Sequence, residues 1–258
     1  MQIQTLVVTM NQRDHSLLDQ MNIQTDAIVG NQCDRDEIER FEHHGKKVCW
    51  LSLRERGVGL NRNNVLMRGT ADYLVLADDD MVFHDGYAKT VCDLFQRYPQ
   101  ADVLIFNLDE ARPKRYKNTK VKKLNRSNYG KYGAARLALR RERIHMAGVS
   151  FNLLFGGGAK YSSGEDSIFL HDCLKKGLRL YAMPLAIAEL KDDRASTWFT
   201  GYNDKFFTDK GVFFAQIYGW RSGLIALYHC FKHRNGRYRE YGWKRAYQKI
   251  KEGIRTVS

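Results

Sequence analysis

Apolar positions in the first 108 residues fall into short blocks separated by polar stretches. Ile3 to Thr9 is a β-rich opening, and Asp26 to Gly30 and Val48 to Leu51 are two further short strands. Tyr73 to Ala77 is an almost unbroken apolar run, the pattern of a strand buried on both faces. Ala101 to Asn107 repeats it. Between these blocks, Arg35 to His44 is charged and reads as helix-like, and Gly59 to Gly69 and Tyr87 to Tyr98 read as helices. Strands alternating with helices at this spacing predict an α/β fold, a Rossmann-like, mostly parallel sheet with helices on both faces. Such sheets bind ligands outside the carboxyl ends of their strands. Three motifs are expected there: Thr9-Met10-Asn11, Asn31-Gln32-Cys33-Asp34 and Asp78-Asp79-Asp80.

The second half is less regular. Asp109 to Asn128 reads as a basic loop or edge excursion, Ala134 to Arg140 and Val149 to Leu154 as strands, and Gly156-Gly157-Gly158 as a sharp break. Ser163 to Lys176 is expected to be a helix, and Leu178 to Met183 a strand closed by Pro184. Beyond Phe206 the pattern is helical and amphipathic. The longest apolar stretch, Val212 to Phe231, is interrupted by Gln216, Arg221 and His229, which suits a membrane span poorly.

Charge adds a second layer. The chain of 258 residues carries a formal net charge of +13. Pro113 to Arg143 holds twelve Lys/Arg against Glu142 alone, and Arg221 to Ser258 ten against Glu240 and Glu252. Basic surfaces attract phosphate groups, whether of nucleic acid, anionic lipid or a nucleotide ligand, and the plainer reading of each patch is a solvated face. The five cysteines, Cys33, Cys49, Cys92, Cys173 and Cys230, are odd in number and show no C-x-x-C spacing. Neither a disulfide framework nor a zinc site is suggested, and a reducing compartment fits. No leader pattern precedes the first strand, so a cytoplasmic protein is expected.

Three segments carry candidate chemistry. Asp78-Asp79-Asp80 closes an apolar strand, and adjacent carboxylates that repel one another call for a cation. Oxygen ligands of this kind suit Mg²⁺ or Mn²⁺ shared with substrate phosphates, whereas an isolated triplet also fits a solvated turn. Ser163-Gly164-Glu165-Asp166 sets two acids at a helix start, where one can serve as general base. The same four residues resemble a capping box with Ser163 as N-cap. Gly57-Val58-Gly59 ahead of a helix is a weak phosphate-binding signal, neither a Walker loop nor a dinucleotide fingerprint.

In this order the segments resemble the family 2 glycosyltransferases of the GT-A fold. Thr9-Met10-Asn11 is similar to the family's Thr-aromatic-Asn opening, and Gly57-Val58-Gly59-Leu60-Asn61-Arg62-Asn63 to its Gly-x-x-x-Ala-Arg-Asn segment. Gly69 to Asp80 resembles the run into the Asp-x-Asp motif, and Gly164-Glu165-Asp166 with Lys176 to Tyr181 the Glu-Asp motif and the strand after it. The likeness spans most of residues 1–185. Asn61 stands where the family has Ala, and Asn31-Gln32-Cys33 where it has Asp-Gly-Ser, so the base of the nucleotide is left unspecified. No Gln-x-x-Arg-Trp motif of processive synthases is present. Trp198, within Ser196-Thr197-Trp198-Phe199, lies near its expected place.

The resemblance implies an inverting hexosyltransferase of bacterial surface-polysaccharide synthesis. It would take a nucleotide-sugar, a UDP-sugar foremost, and a glycan or lipid-linked acceptor, with Mn²⁺ or Mg²⁺ as cofactor. Asp80 and Asp78 would hold the metal. Thr9, Asn11, Asp34, Arg62, Asp78 and Asp79 would bind the donor. Asp166 would be the catalytic base and Glu165 its catalytic partner. A catalytic domain over 1–190, divided into a nucleotide-binding half (1–108) and an acceptor half (109–190), would be followed by a helical, basic extension over 191–258. That extension, with apolar positions Leu224, Ile225, Leu227, Tyr228 and Phe231 and then Tyr241, Trp243, Tyr247, Ile250 and Ile254, fits either an anionic membrane surface at the inner face or packing on the catalytic domain. No nucleic acid partner is implied. A nucleotidyltransferase, or a basic nucleic-acid-binding protein without catalysis, is the competing class.

Overall fold

The computed structural model describes residues 1–111, 115–191 and 201–257. The Trp198 segment therefore lies outside the described residues, as does part of the basic loop after Glu110. In chain order the strands are β1 (Ile3–Met10), β2 (Asp26–Gln32), β3 (Glu37–His43), β4 (Lys46–Leu53), β5 (Tyr73–Asp78), β6 (Met81–Phe83), β7 (Val103–Glu110), β8 (Lys122–Lys123), β9 (Leu137–Arg140) and β10 (Leu180–Leu190). The helices are α1 (Leu17–Gln20), α2 (Val58–Arg68), α3 (Tyr87–Arg97), α4 (Arg141–Ala147), α5 (Glu165–Lys175), α6 (Asp204–Tyr218), α7 (Ser222–Lys232) and α8 (Trp243–Arg255).

Among the described residues the strands form one sheet, ordered β3-β4-β2-β1-β5-β9-β7-β10-β6, with β8 beside β10. The run β4-β2-β1-β5 is parallel, as is β7 beside β10, while β9 enters antiparallel between β5 and β7. One apolar layer, with Val7, Val29, Val75, Phe95 and Phe106, covers one face. Another, with Leu6, Ile28, Leu76, Phe151 and Phe169, covers the other. Leu74, Val75 and Leu76 are buried on alternating sides, which accounts for the unbroken apolar run of β5. The expected α/β architecture is what the chain adopts.

Three local expectations are corrected. Arg35 to His44 is not helical: Glu37–His43 is an edge strand, antiparallel to β4. His44 and Gly45 both have positive φ, +48° and +71°, the requirement of a two-residue type I′ hairpin turn. Along β3, Glu39, Phe41 and His43 alternate with more exposed neighbours, and Phe41 stacks on His15 at 4.2 Å. The charges at Arg35, Glu37 and Glu42 suit an edge that must not pair further. Val149 to Leu154 is a loop, because its backbone bonds to a helix side chain: Asn63 Nδ2 donates to the Phe151 carbonyl and the Phe151 N–H donates to Asn63 Oδ1, each at 2.8 Å. Pro184 does not close the last strand. β10 continues to Leu190, with a register shift between Ala182 and Ala186 that accommodates a residue lacking an N–H.

Asn61 occupies its position because Gly30 makes room. Its Nδ2 donates to the carbonyls of Gly30 (2.8 Å) and Thr9 (3.3 Å), tying α2 to β1 and β2. A Cβ on Gly30 would lie 2.0 Å from Asn61 Oδ1. Gly30→Ala should therefore cost about 1–3 kcal/mol by overpacking. Adding Asn61→Ala should recover most of it, a coupling that urea unfolding of the single and double variants would measure. Simple addition of the two costs would contradict the pairing.

The last three helices have a small core of their own, including Phe207, Phe214, Tyr238, Ala246 and Ile250. α6 and α8 cross at glycines: a Cβ on Gly211 would meet the Ile250 carbonyl at 2.1 Å, and one on Gly253 the Thr208 carbonyl at 1.9 Å. Phe155, Ile168, Val212 and Ile217 join this unit to the sheet body.

Candidate functional site

The parallel register sets Val8 beside Asp78 and Thr9 beside Asn31, so the carboxyl ends of β1, β2 and β5 form one rim. Asp78 is the last residue of β5, Asp79 and Asp80 make the turn, and β6 leads away to pair with β10. The Asp80 carbonyl accepts from the Lys191 N–H (2.8 Å), which fixes the turn against the end of β10. Thr9 Oγ1 donates to Asp79 Oδ2 at 2.6 Å and accepts from Gln12 Nε2 at 2.9 Å. Thr9 thus orients Asp79. Asn11, exposed and with φ +57°, turns the chain out of β1, its N–H donating to the Gln32 carbonyl. Asp34 is exposed beyond β2, and its carbonyl accepts from Arg54 Nε.

Arg62 joins the two acidic motifs. Its side chain is 5 % exposed. One terminal nitrogen donates to Asp78 Oδ1 (2.9 Å), and the other to Asp166 Oδ1 (2.7 Å) and Glu165 Oε1 (3.1 Å). Burial alone would lower its pKa, but the Asp78, Asp166 and Glu165 carboxylates together hold it above the usual arginine value. A planar fork with fixed donors is suited to such a three-way bond. Residues 78 and 166 are thereby brought to one guanidinium although 88 positions separate them.

The helix carrying Asp166 starts differently from the capping-box expectation. Gly164, with φ +127°, is its N-cap, and no side chain caps it. Asp166 accepts instead from Arg62, and Glu165 Oε2 accepts from the Gly164 N–H at 3.1 Å. Burial foremost, then the Glu165 and Asp78 charges, push the Asp166 pKa up to about 7 against the pull of Arg62. Burial, Asp78 and Asp79 likewise push Asp80 up to about 6. The two acids of greatest interest thus hold their protons more tightly than ordinary carboxylates.

Both glycine segments are occupied by each other. Val58 N–H donates to the Gly157 carbonyl at 2.8 Å, and a Cβ on Gly158 would stand 3.1 Å from the Gly57 nitrogen. A Cβ on Gly156 would meet the Glu165 carboxyl carbon at 2.8 Å, and one on Gly59 the Asn152 carbonyl at 2.8 Å. Gly59 and Gly158 permit a backbone-to-backbone seam between the start of α2 and the 151–158 loop, and Gly156 makes room for the Val58 and Glu165 side chains. From the other side, Asp209 of α6 accepts from the Ser162 N–H (2.9 Å) and from Lys205 (2.6 Å).

Two bracing residues, Asn63 and Asp209, lie outside the site residues expected from the sequence. Asn63 follows Arg62 in the segment that resembles the family's Ala-Arg-Asn, whereas Asp209 carries no such signal. A second buried polar group was also unforeseen. Arg136 Nε donates to the Phe106 carbonyl (2.6 Å), and its terminal nitrogens donate to Asn107 Oδ1 and the Tyr116 carbonyl. All five cysteines are free. Among the described residues no helix is long and apolar enough to cross a membrane.

Comparison with known proteins finds a likeness of fold and of family. No curated protein matches the chain in sequence. Among solved structures, residues 1–349 of S. aureus TarS in complex with UDP-GlcNAc superpose with a TM-score of 0.66 at 12 % identity, covering 93 % of this chain and 74 % of that one. The same protein in complex with UDP gives 0.62 at 12 %, covering 93 % and 73 %. The longer TarS structure gives 0.62 at 13 %, covering 93 % and 45 %. The likeness is one of fold, here the GT-A fold with its helical C-terminal region. The profile of glycosyl transferase family 2 matches residues 14–155, more than half of the chain. The chain belongs to glycosyl transferase family 2.

Proposed function

We propose that the protein is an inverting, divalent-cation-dependent hexosyltransferase of surface-polysaccharide synthesis. It moves a sugar from a nucleotide-sugar to a hydroxyl of a glycan or lipid-linked acceptor. The observation that carries this reading is the shared guanidinium of Arg62, which sets Asp166 and the strand-end Asp78 at the two ends of one fork. A UDP-sugar is the preferred donor; the similar fold of S. aureus TarS has been solved with UDP-GlcNAc and with UDP. The nucleotide binds over residues 1–108 and the acceptor over 109–190, with 191–258 as the helical extension. Free cysteines suit work in the reducing cytoplasm.

Asp166 accepts the proton of the acceptor hydroxyl as its oxygen forms the new bond to the anomeric carbon. On the opposite face the bond from that carbon to the diphosphate breaks, and the nucleoside diphosphate leaves with the electron pair. Glu165, bonded to Arg62 and to the Gly164 N–H, keeps the base loop in place. Thr9 holds Asp79, and Asn11 and Asp34 lie on the same rim for contacts to the nucleoside.

The residues present fit a hard cation. Asp80 and Asp78 offer only oxygen; burial foremost, then the Asp78 and Asp79 charges, hold the Asp80 pKa up, and a cation would relieve the part that comes from those charges. Bound there, Mn²⁺ or Mg²⁺ would neutralise charge on the departing diphosphate. A separate group, Asp19 with His43 and His44, lies at the β3–β4 hairpin rather than on this rim. Asp80→Ala should lower transfer by about 10²–10³-fold, the scale of losing one main electrostatic stabiliser, and should remove the metal-dependent part of nucleotide affinity. Full activity of the wild-type enzyme in EDTA would sink the metal assignment.

A further inference from the structure

The apolar pattern of the C-terminal extension divides between two helices with different surroundings. Ile250 of α8 is buried in the small core against α6, and Trp243, Tyr247 and Ile254 pack partly buried against it, so this stripe is already covered. α7 is the opposite case. Trp220, in the turn before it, is 83 % exposed, and Leu224 is 69 % exposed. Leu227, Tyr228 and Phe231 are also exposed. Positions 220, 224, 227, 228 and 231 follow helical spacing and share one side, while Ser222, Ala226 and Cys230 face inward.

Charge identifies what would cover this side. From Lys210 to Arg239 there are six Lys/Arg and no acid. Arg221 lies over the Trp220 ring at 4.9 Å and Arg234 over the Phe231 ring at 3.7 Å. Lys232 and Arg237 are exposed close by. A second copy of the chain would bring the same unbalanced cations face to face. An anionic bilayer surface meets both requirements. Its headgroups pair with Arg and Lys, and its acyl boundary takes Leu and Phe, with Trp and Tyr at the level between.

We propose that α7, with Trp220, is a membrane-docking surface that seats the enzyme on anionic lipid. α7 adjoins α6, whose Asp209 and Phe213 brace the loop running into α5 and Asp166. A single helix therefore separates the docked face from the base. The surface binds whether or not the chain transfers sugar, so the test needs neither donor nor acceptor.

The test uses the full chain with vesicles of phosphatidylglycerol and phosphatidylcholine, against phosphatidylcholine alone. The expected result is cosedimentation with the anionic vesicles only, release by salt, and a blue shift in tryptophan emission that Trp220→Phe removes. Leu224→Ser with Tyr228→Ser should weaken binding at least about tenfold, as should Arg221→Glu with Lys232→Glu, since each basic residue near such a surface is worth roughly fivefold. All four positions are exposed, and unchanged melting temperatures would show that the fold is kept. Equal binding to both vesicle types, or binding unmoved by these substitutions, would overturn the proposal. So would a lipid-free dimer that the same substitutions dissociate, which would assign the face to a second copy.

Discussion

Asp166→Asn is expected to reduce the turnover rate by about 10²–10⁴-fold while leaving donor affinity near the wild-type value. The amide keeps the size of the side chain and one acceptor oxygen for Arg62, but cannot take the proton of an acceptor hydroxyl. Gly164, not Ser163, caps the helix, so the loss cannot come from a broken capping box. The measurement is kcat and donor Kd side by side, with melting temperature as control. A normal turnover, or a defect that follows a lower melting temperature, would remove Asp166 from the chemistry. A nucleotidyltransferase would make no use of this carboxylate, so the same variant separates the two enzyme classes. The pH profile adds a second readout. The base acts only when ionised, and its pKa is pushed up to about 7. The rate constant kcat/KM should therefore fall about tenfold per pH unit below 7 and level off above it.

Arg62→Ala is expected to damage both fold and site. It removes the one cation shared by Asp78, Glu165 and Asp166 and leaves their charges facing one another. Breaking a buried ion pair from one side typically costs about 3–5 kcal/mol. Asp78 is 38 % exposed and Asp166 27 %, so water replaces part of what the guanidinium gave, and the lower end, about 3 kcal/mol, is expected. Without the pull of Arg62 the Asp166 pKa moves further up, so the acid limb of the residual rate should shift to higher pH. Arg62→Lys keeps the charge but not the fork, and should fall between. Urea unfolding and the pH profile together decide. A wild-type midpoint with an unmoved profile would mean that Arg62 braces nothing.

The sheet was legible because its strands are buried on both faces and their apolar runs are short and bounded, as Tyr73 to Ala77 shows. β3 was not, since an edge strand with one wet side carries charges at helix-like spacing, and its only clear signal was the His44-Gly45 turn. Val149 to Leu154 reads apolar because Phe151 stacks on Phe169 at 4.2 Å, yet Asn63 takes its backbone bonds. In the candidate site the acidic residues stood out by type and spacing. What joins them did not: Arg62 reaches Asp166 across 104 positions, and nothing local announces that contact. The glycines gave only a weak signal for a related reason, because open backbone serves a packed seam as well as a phosphate. The C-terminal helices showed their apolar stripes, but only the packing of α8 on α6 at Gly211 and Gly253 reveals which stripe is interior.

On this reading the rim at Asp78 to Asp80 binds a nucleotide-sugar for transfer. The most direct measurement is calorimetric titration of the full chain with a panel of nucleoside diphosphate sugars, in Mn²⁺, in Mg²⁺ and in EDTA. A UDP-sugar should bind only with the metal present, and binding should be lost in Asp80→Ala. The contradicting result is no binding of any nucleotide-sugar under any condition, together with tight, steeply salt-dependent binding of single- or double-stranded nucleic acid.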